Sequence, residues 1–311
     1  MSKEFTQISW DAATGFDCRQ LVRLWVHEDL ERQHDWTTLA LVPPDEQGRA
    51  AIVNREAGIL CGLRAAEVAL DEMNITCAWQ IAVQDGQHAA AGTEIATIQG
   101  QARELLTAER LLLNLIGRLS GIATLTHQYV SLISDTQAAI YDTRKTLPGW
   151  RRLEKYAVRC GGGKNHRSGL FDAILIKDNH LDFAAVANSD ATPAHALQTV
   201  RHFLQQSENN PSRDLVVEIE VDSLEQLRTV LPECPDIVLL DNMDPGQLRE
   251  AVRLRDRAAP LVQLEASGGI HLDTVISVAQ TGVDRISVGA LTHSAHTLDV
   301  GLDWKFSSNA T

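Results

Sequence analysis

From Ala138 onward, short apolar runs alternate with helical patterns, and each run ends in polar residues. The runs are AIYDTRK, AILIKDNH, LVVEIEVD, DIVLLDN, VQLEASGG and RISVGA. The segments between them have helical periodicity; in SLEQLRTVL, for example, Leu224, Leu227 and Leu231 lie on one helix face. Strands that are apolar on both faces and are separated by helices predict a parallel sheet covered by helices.

Two architectures share this alternation, an open doubly wound sheet and a barrel. In a doubly wound sheet the ligand lies at one switch point, which only two or three strands reach. In a TIM-like barrel all strands end at one mouth, and here six runs end in polar residues. A helix N-cap or a solvated loop would explain any single one of them, but the series favours the barrel. Because eight strands close a regular barrel and six are evident, we expect an α/β protein with an open, incomplete TIM-like barrel.

The composition excludes several classes of protein. The 311 residues suffice for two domains, and the net charge of −13 argues against binding to nucleic acid or to an anionic membrane. The five cysteines form no C-x-x-C pair, which is typical of reduced thiols and not of a disulfide framework or a zinc site. The chain starts without an apolar signal region, and no stretch is apolar for long enough to span a bilayer. We therefore expect a cytoplasmic protein without nucleic-acid or membrane partners.

Positive charge is concentrated between residues 144 and 177. This segment carries nine Lys and Arg residues against two acidic ones, although the whole chain is acidic. A solvated helix face explains part of the excess, since Arg151, Arg152, Lys155 and Arg159 have helical spacing. The remainder indicates a cationic pocket for a small anionic ligand.

The segment LLTAERLLLNLIGRLSGIATLTHQYVSLI predicts one long helix, with Thr107 as its N-cap. Arg110, Gly117 and Gly121 share a face of this helix. Each glycine costs about 1 kcal/mol relative to alanine, a cost that is explained if another chain element packs closely there and Arg110 projects into a site. The alternative is a solvated arginine with incidental glycines.

Basic residues also follow the first predicted strands of the barrel. Arg144 and Lys145 come after AIYDT, His166 and Arg167 end GGGKNHR, and Lys177 ends AILIK. Arginine binds a carboxylate through two parallel hydrogen bonds, whereas lysine is a point charge suited to phosphate. The set therefore indicates a ligand that carries both kinds of anion. A second hypothesis for Lys177 is a Schiff-base lysine, which requires a neutral amine.

Acidic residues lie on two neighbouring strands. Glu218 and Glu220 share one face of VVEIEV, and Asp241 ends the next strand. Glu220 and Asp241 could hold a ribose diol directly or through Mg²⁺, which prefers oxygen ligands. For Glu218 the alternative is a salt bridge with the cationic segment.

Glycines follow the last two predicted strands, in ASGGI and SVGAL. Such turns let backbone N–H groups approach an anion at the start of a helix, and the last two strand loops of TIM barrels commonly hold a phosphate. The glycines of GGGKN are different, because the G-x-x-x-x-G-K-[ST] spacing of a P-loop is absent. We expect those glycines to form a bend.

These motifs together closely resemble those of the quinolinate phosphoribosyltransferase family. The resemblance extends from LLTAERLLLNLIGRLSGIAT through DTRKTLPGWRRLEKYAVRCGGGKNHRSGLFDAILIKDNH, VEIEVDSLEQL, LLDN and LEASGGI to ISVGALTHSAHTLDVGLD. It implies Mg²⁺-dependent transfer of phosphoribose from phosphoribosyl pyrophosphate to quinolinate, which gives nicotinate mononucleotide for NAD synthesis, pyrophosphate and CO₂. It also implies an N-terminal α/β sandwich joined to an open α/β barrel, and a homodimer with a shared active site that sometimes assembles further.

The resemblance also implies roles for individual residues. The quinolinate carboxylates would be bound by Arg144, His166, Arg167 and Lys177, with Arg110 reaching in from the partner subunit. Phosphoribosyl pyrophosphate would be bound by Lys145, Glu220, Asp241, Ser267, Gly268, Gly269, Gly289, Ala290 and His293. The residues expected to act in catalysis are Lys145, Lys177, Glu220 and Asp241, of which Glu220 and Asp241 would also hold Mg²⁺, directly or through water.

The expected domains are residues 1–133 for the N-terminal sandwich, 134–292 for the barrel, and 293–311 for a segment that returns to the first domain. Three other hypotheses remain. A molybdenum-transport-associated paralogue has the same barrel, but the intact AILIKDNH argues against it. The other two are a Schiff-base aldolase barrel that uses Lys177 and an anion-binding barrel without catalysis.

Overall fold

The computed structural model describes residues 3–187, 192–206 and 215–306. Its strands are β1 (Gln47–Asn54), β2 (Gly58–Ile59), β3 (Cys77–Ile81), β4 (His88–Ala89), β5 (Glu94–Gln101), β6 (Ala139–Tyr141), β7 (Ala173–Ile176), β8 (Val216–Val221), β9 (Ile237–Asp241), β10 (Gln263–Ser267), β11 (Arg285–Ser287) and β12 (Val300–Trp304). Its helices are α1 (Ala12–Leu30), α2 (Trp36–Leu41), α3 (Leu63–Glu72), α4 (Ala102–Leu132), α5 (Arg151–Cys160), α6 (Asp178–Ala187), α7 (Pro193–Gln205), α8 (Leu224–Val230), α9 (Pro245–Ala258), α10 (Leu272–Ala279) and α11 (Ala290–His293). None of these helices combines the length and the hydropathy needed to cross a membrane.

The chain forms two compact units. The barrel unit comprises residues 1–7, 128–144 and 164–290, and the N-terminal unit comprises residues 8–127, 145–163 and 291–311. The domain boundaries expected from the sequence, at 133/134 and 292/293, stay a prediction.

The barrel unit contains a six-stranded parallel sheet in the order β6-β11-β10-β9-β8-β7. All six strands coincide with the apolar runs of the sequence. Within the described residues, β6 and β7 are the two edges and do not pair with each other, so the barrel is open as predicted.

The core of the barrel unit forms where apolar strand residues meet the surrounding helices. Ile219, Leu240 and Ile286 of the sheet are fully buried, as are Leu227 and Val275 of the helices. Each such side chain contributes about 1.5–3 kcal/mol when it is removed from water. The alternate residues of the strands point to the opposite face of the sheet, and most of the polar strand residues are among them.

The N-terminal unit contains a four-stranded antiparallel sheet in the order β12-β1-β5-β3 and a short ladder between β2 and β4. The last strand, β12, pairs along β1, with Ala50 opposite Trp304. A small sheet and helices in the N-terminal half, followed by a parallel α/β barrel, confirm the predicted fold class. The prediction that Lys155 lies on a solvated helix face is wrong, because Lys155 is fully buried in α5.

Helix α4 begins at Ala102, directly after β5, so the prediction of Thr107 as its N-cap is wrong. Thr107 lies inside the helix, where its hydroxyl donates to the backbone oxygen of Arg103 at 2.9 Å. The two glycines on this helix do allow a close approach. A Cβ at Gly121 would lie 1.9 Å from the backbone oxygen of His296, and one at Gly117 would lie 2.8 Å from that of Leu298.

Candidate active site

The carboxyl ends of the parallel strands carry most of the polar residues predicted for a site. Lys177 directly follows β7, Glu220 lies near the end of β8, Asp241 ends β9, and Ser267 ends β10. The register of β9 and β10 places Ser267 beside Asp241. The sheet thus brings these residues to one edge, as a parallel barrel requires.

Lys177 and Glu220 form an ion pair across neighbouring strands. The Lys177 side chain is 41% exposed, and the Glu220 side chain is 14% exposed. The Lys177 amine is engaged by this carboxylate, whereas Schiff-base formation requires a free, neutral amine. The pair therefore argues against the hypothesis of a Schiff-base lysine.

The turn after β10 interlocks with the turn after β9. The N–H of Asn242 donates to the backbone oxygen of Ser267 at 2.8 Å, and its side-chain amide donates to Asp241 at 2.8 Å. Gly268 has a φ of +92°, and a Cβ there would lie 2.1 Å from Oδ1 of Asn242. Only glycine fits this position, and Gly269 follows it with a φ of +61°. The turn leads through His271, the N-cap, into α10.

Arg144 and Arg167 are two guanidinium groups near each other in the barrel unit. Arg167 is 7% exposed, and its pKa is lowered from the usual value by burial and then by the charge of Arg144, an effect that Glu218 partly opposes. Nε of Arg144 is buried and has no hydrogen-bond partner among the described residues. In the described part of the chain, neither guanidinium lies within ion-pair distance of a carboxylate. A buried and a half-buried guanidinium next to each other, without such a partner, are suited to a small anion.

His166 is buried and has both ring nitrogens directed at protein groups. Its Nδ1 accepts a hydrogen bond from the N–H of Arg167 at 2.8 Å. Its Nε2 lies 3.0 Å from Glu218 and 3.5 Å from Glu265, and its ring stacks on Phe5 at 4.3 Å. Because Nδ1 is an acceptor, the proton of the neutral ring belongs on Nε2. The salt bridge between Glu218 and the cationic segment, the alternative that the sequence offered, is present when His166 is protonated.

Asp142 holds the backbone of the segment that carries His166 and Arg167. Its carboxylate accepts from the N–H of His166 at 2.8 Å and from the side-chain amide of Asn165 at 2.7 Å. The side chain of Gln7 makes two further hydrogen bonds to the backbone of Asn165. These contacts place the arginine without themselves offering it a charge partner.

Glu265 and Glu218 are two carboxylates buried in the barrel unit, both fully inaccessible. Burial, and after it the charge of Glu218, raises the pKa of Glu265 to about 7, whereas His166 and Arg285 act in the opposite direction. Arg285 lies opposite Glu265 in the sheet, and its guanidinium lies 4.5 Å from the centre of the Tyr141 ring. Neither Glu265 nor Arg285 was among the site residues predicted from the sequence. The signal was present, since Glu265 shares a strand face with Ser267.

His166, Glu218 and Glu265 offer one ligand atom each within 4.8 Å of one another, a spacing at which they could hold a metal ion. The hydrogen bond at Nδ1 opposes this use. A metal on Nε2 would move the ring proton to Nδ1, where it would face the N–H of Arg167 at 2.8 Å. As arranged, Glu218 and Glu265 are two buried carboxylates that lie beside Nε2 of His166.

The glycines of GGGKNHR form a bend at the end of α5, as predicted. Gly162 has a φ of +88°. A Cβ at Gly161 would lie 2.3 Å from a backbone oxygen of α4, and one at Gly163 would lie 2.7 Å from a side chain of α4. Lys164 lies in the barrel unit, where its backbone bridges to β6 and its ammonium lies 3.9 Å from Glu4. The glycines of this segment therefore have a packing role rather than the role of a phosphate loop.

Gly289 and Ala290 are half-buried; Gly289 directly precedes α11, and Ala290 is its first residue. The remaining predicted residues belong to the N-terminal unit. Arg110 is exposed on α4, and Lys145 and His293 are also exposed. The backbone oxygen of Lys145 accepts a hydrogen bond from the hydroxyl of Thr292 at 2.7 Å, so two of the predicted phosphate-binding segments touch.

Two family models match the chain. The model "Quinolinate phosphoribosyl transferase, N-terminal domain" matches residues 35–120, and the model of the C-terminal domain of the same family matches residues 122–303. A nicotinate-nucleotide pyrophosphorylase [carboxylating] of Mycobacterium leprae is 46% identical over 287 residues, which cover 92% of this chain and 96% of that protein. A probable enzyme of the same name from Synechocystis is 39% identical over 89% of both chains.

Solved structures lead to the same family. The nicotinate-nucleotide pyrophosphorylase of Francisella tularensis aligns with a TM-score of 0.85 and 36% identity, over 97% of this chain and all of the other. That of Ehrlichia chaffeensis aligns with a TM-score of 0.83 and 33% identity. With both domain models matched in order and close relatives aligned over nearly their full length, the chain belongs to the quinolinate phosphoribosyltransferase family.

Proposed function

We propose that this chain transfers phosphoribose from phosphoribosyl pyrophosphate to quinolinate and removes one carboxylate as CO₂. The products are nicotinate mononucleotide and pyrophosphate, and the reaction serves de novo NAD biosynthesis. The observation that carries the proposal is the pair of Arg144 and Arg167, because two adjacent guanidinium groups without a carboxylate partner suit a dicarboxylate. The names of the curated relatives describe this chemistry for those proteins.

The first step joins the pyridine nitrogen of quinolinate to C1 of the ribose. The bond from C1 to the pyrophosphate oxygen breaks, and pyrophosphate leaves with the electron pair. Positive charge develops on the ribose, which the carboxylates of Glu220 and Asp241 would stabilise. No general base is needed, because the attacking nitrogen carries no proton.

The second step removes the carboxylate next to the ring nitrogen. The carbon–carbon bond breaks, and its electron pair remains on the ring carbon beside the now cationic nitrogen. CO₂ leaves, and that carbon takes up a proton from solvent. Arg144 and Arg167 would contribute by holding the dicarboxylate in one orientation through both steps.

We also propose that Glu220 and Asp241 hold Mg²⁺, directly or through water. Both offer carboxylate oxygens at the strand ends, which are the ligands that Mg²⁺ prefers. When bound there, the ion would neutralise charge on the pyrophosphate leaving group. In this proposal Glu220 would leave its ion pair with Lys177, and the Lys177 ammonium would become available to an anion.

The remaining roles implied by family membership are proposals of the same kind. Lys145 and His293, together with the turns at Ser267–Gly269 and Gly289–Ala290, would bind the phosphates of the donor. Lys177 and His166 would assist the arginines. The working unit would be a cytoplasmic homodimer, in which Arg110 serves the site of the partner subunit.

Steady-state turnover tests the proposal. Protein, Mg²⁺ and phosphoribosyl pyrophosphate are incubated with quinolinate, and in parallel with nicotinate, which has one carboxylate fewer. We expect nicotinate mononucleotide from quinolinate and much slower turnover of nicotinate. Equal turnover of both acceptors, or none of quinolinate, would contradict it. Borohydride trapping with keto substrates is expected to leave Lys177 unmodified, whereas a trapped adduct would support the aldolase hypothesis.

A further inference from the structure

The N-terminal unit contains a buried ion pair that touches both of its predicted phosphate-binding segments. Arg118, on α4, is 18% exposed, and Glu154, on α5, is fully buried. Nη2 of Arg118 lies 2.6 Å from Oε1 of Glu154, and Nε lies 3.2 Å from the same oxygen. Removal of one partner of such a pair leaves the other charged and buried, which is costly.

Arg118 also binds the chain around His293. Its Nη2 donates to the backbone oxygen of Thr292, and its Nη1 donates to that of Ala295 at 3.2 Å. One guanidinium therefore holds both ends of the segment 292–295, which carries His293 at the end of α11. A lysine has a single charged nitrogen and does not reproduce this fork.

Glu154 binds the chain just after Lys145. Its second oxygen accepts a hydrogen bond from the N–H of Leu147 at 3.3 Å. The hydroxyl of Thr292, which is itself fully buried, donates to the backbone oxygen of Lys145 and closes the loop of contacts. The ion pair thus connects the segment 145–147, which contains Lys145, to the segment 292–295, which contains His293.

Burial alone raises the pKa of Glu154, and the hydrogen bond and charge of Arg118 oppose this effect. The guanidinium is therefore what allows a charged carboxylate at a buried position. Neither Arg118 nor Glu154 is exposed enough to be an obvious ligand contact, whereas Lys145 and His293 are exposed. The two exposed side chains are therefore the candidates for contact with a ligand, and the ion pair is not.

We propose that Arg118 and Glu154 are positioning residues that set the relative placement of Lys145 and His293 for the phosphoribosyl pyrophosphate donor. The inference rests on the proposed function, since it takes Lys145 and His293 as phosphate-binding residues. It adds a pair of residues on α4 and α5 that determine the affinity for the donor without touching it.

The test compares Arg118→Lys and Glu154→Gln with the wild type in steady-state kinetics. We expect the KM for phosphoribosyl pyrophosphate to rise about tenfold, the equivalent of about 1.4 kcal/mol, and the KM for quinolinate to change by less than about twofold. The matched control is Arg152→Lys, which alters another α5 ion pair, with Asp17 at 2.6 Å, that contacts neither segment. The control is expected to retain wild-type KM values for both substrates.

Hydrogen exchange in the ligand-free protein provides a readout that does not depend on turnover. Faster exchange of amides 145–147 and 292–295 is expected in both variants and not in the control. If the wild type is active, two results for the variants would overturn the positioning role. One is an unchanged KM for the donor, and the other is an equal rise in the KM values for both substrates. Unchanged exchange at both segments would also overturn it. If the wild type neither turns over nor binds the donor, the proposed function fails, and this inference fails with it. That result differs from an active wild type with unaffected variants, in which only the inference fails.

Discussion

Replacement of Glu265 by Gln is expected to change how the stability of the protein depends on pH. Glu265 is fully buried beside Glu218, and its pKa is raised from 4.5 to about 7 in the folded protein. Between these two values the folded state holds a proton that the unfolded state has released. The free energy of unfolding therefore falls as pH rises from about 4.5 through 7.

The size of this effect follows from the shift. A difference of about 2.5 pKa units corresponds to roughly 3 kcal/mol at 1.36 kcal/mol per unit. This stability is fully present below pH 4.5 and is lost above pH 7. Glutamine cannot ionise, so the variant lacks this contribution to the slope. Relative to the wild type, the variant should become more stable by about 3 kcal/mol between pH 4 and pH 8.

Urea unfolding at a series of pH values, followed by circular dichroism, measures the difference. Asp85 and Glu154 also have raised pKa values, but Glu265 is not among the causes, so their contributions are the same in both proteins and cancel in the comparison. The control is Glu250→Gln, a surface carboxylate paired with Arg253, for which no such divergence is expected. The reasoning would be refuted if the difference in free energy of unfolding between Glu265→Gln and the wild type stays constant across this range. It would also be refuted if the variant gains stability relative to the wild type as pH falls.

Three further predictions concern the site. Arg167→Lys keeps the charge but loses the two-fold hydrogen bonding of the guanidinium. The KM for quinolinate should therefore rise about tenfold or more, while the KM for the donor is nearly unchanged. An unchanged quinolinate KM would argue against a carboxylate contact. Gly268→Ala places a Cβ 2.1 Å from a side-chain oxygen at a φ of +92°. It should therefore lower the free energy of unfolding by about 1–3 kcal/mol and raise the donor KM. The Cβ of Gly269→Ala meets open space and should have a smaller effect in both assays, so equal effects would contradict the turn geometry. Mixed chains of Arg110→Ala and Lys177→Ala should regain activity if the site is shared across a dimer, and activity no higher than that of either variant alone would remove Arg110 from the partner's site.

The strands of the barrel could be predicted because their physics is local. Each apolar run is buried against helices, and polar residues at the strand ends converge by topology alone. The glycine turn at Gly268 was also predictable as a turn, since its positive φ restricts the residue type. The reason that only glycine fits there, a contact with Asn242 in the turn after β9, required the structure.

The failures have two causes: a helix start that the local pattern did not mark, and contacts between residues that are distant in sequence. Thr107 looked like an N-cap, but α4 continues from β5 without a loop, and the threonine hydroxyl bonds inside the helix. The position of Glu265 beside His166 could not be derived from spacing, because it depends on the register of β10 within the sheet. Arg118 was not predicted from the sequence, since two of its partners are backbone oxygens and the third, Glu154, lies on another helix.

The fate of the carboxylate next to the ring nitrogen tests the central claim most directly. Quinolinate labelled in that carboxylate is mixed with excess protein, Mg²⁺ and phosphoribosyl pyrophosphate, and both the labelled CO₂ and the nicotinate mononucleotide are measured. We expect equal amounts of the two products and no release of label when the donor is omitted. Retention of the label in the nucleotide product, or its release without the donor, would refute the proposed reaction.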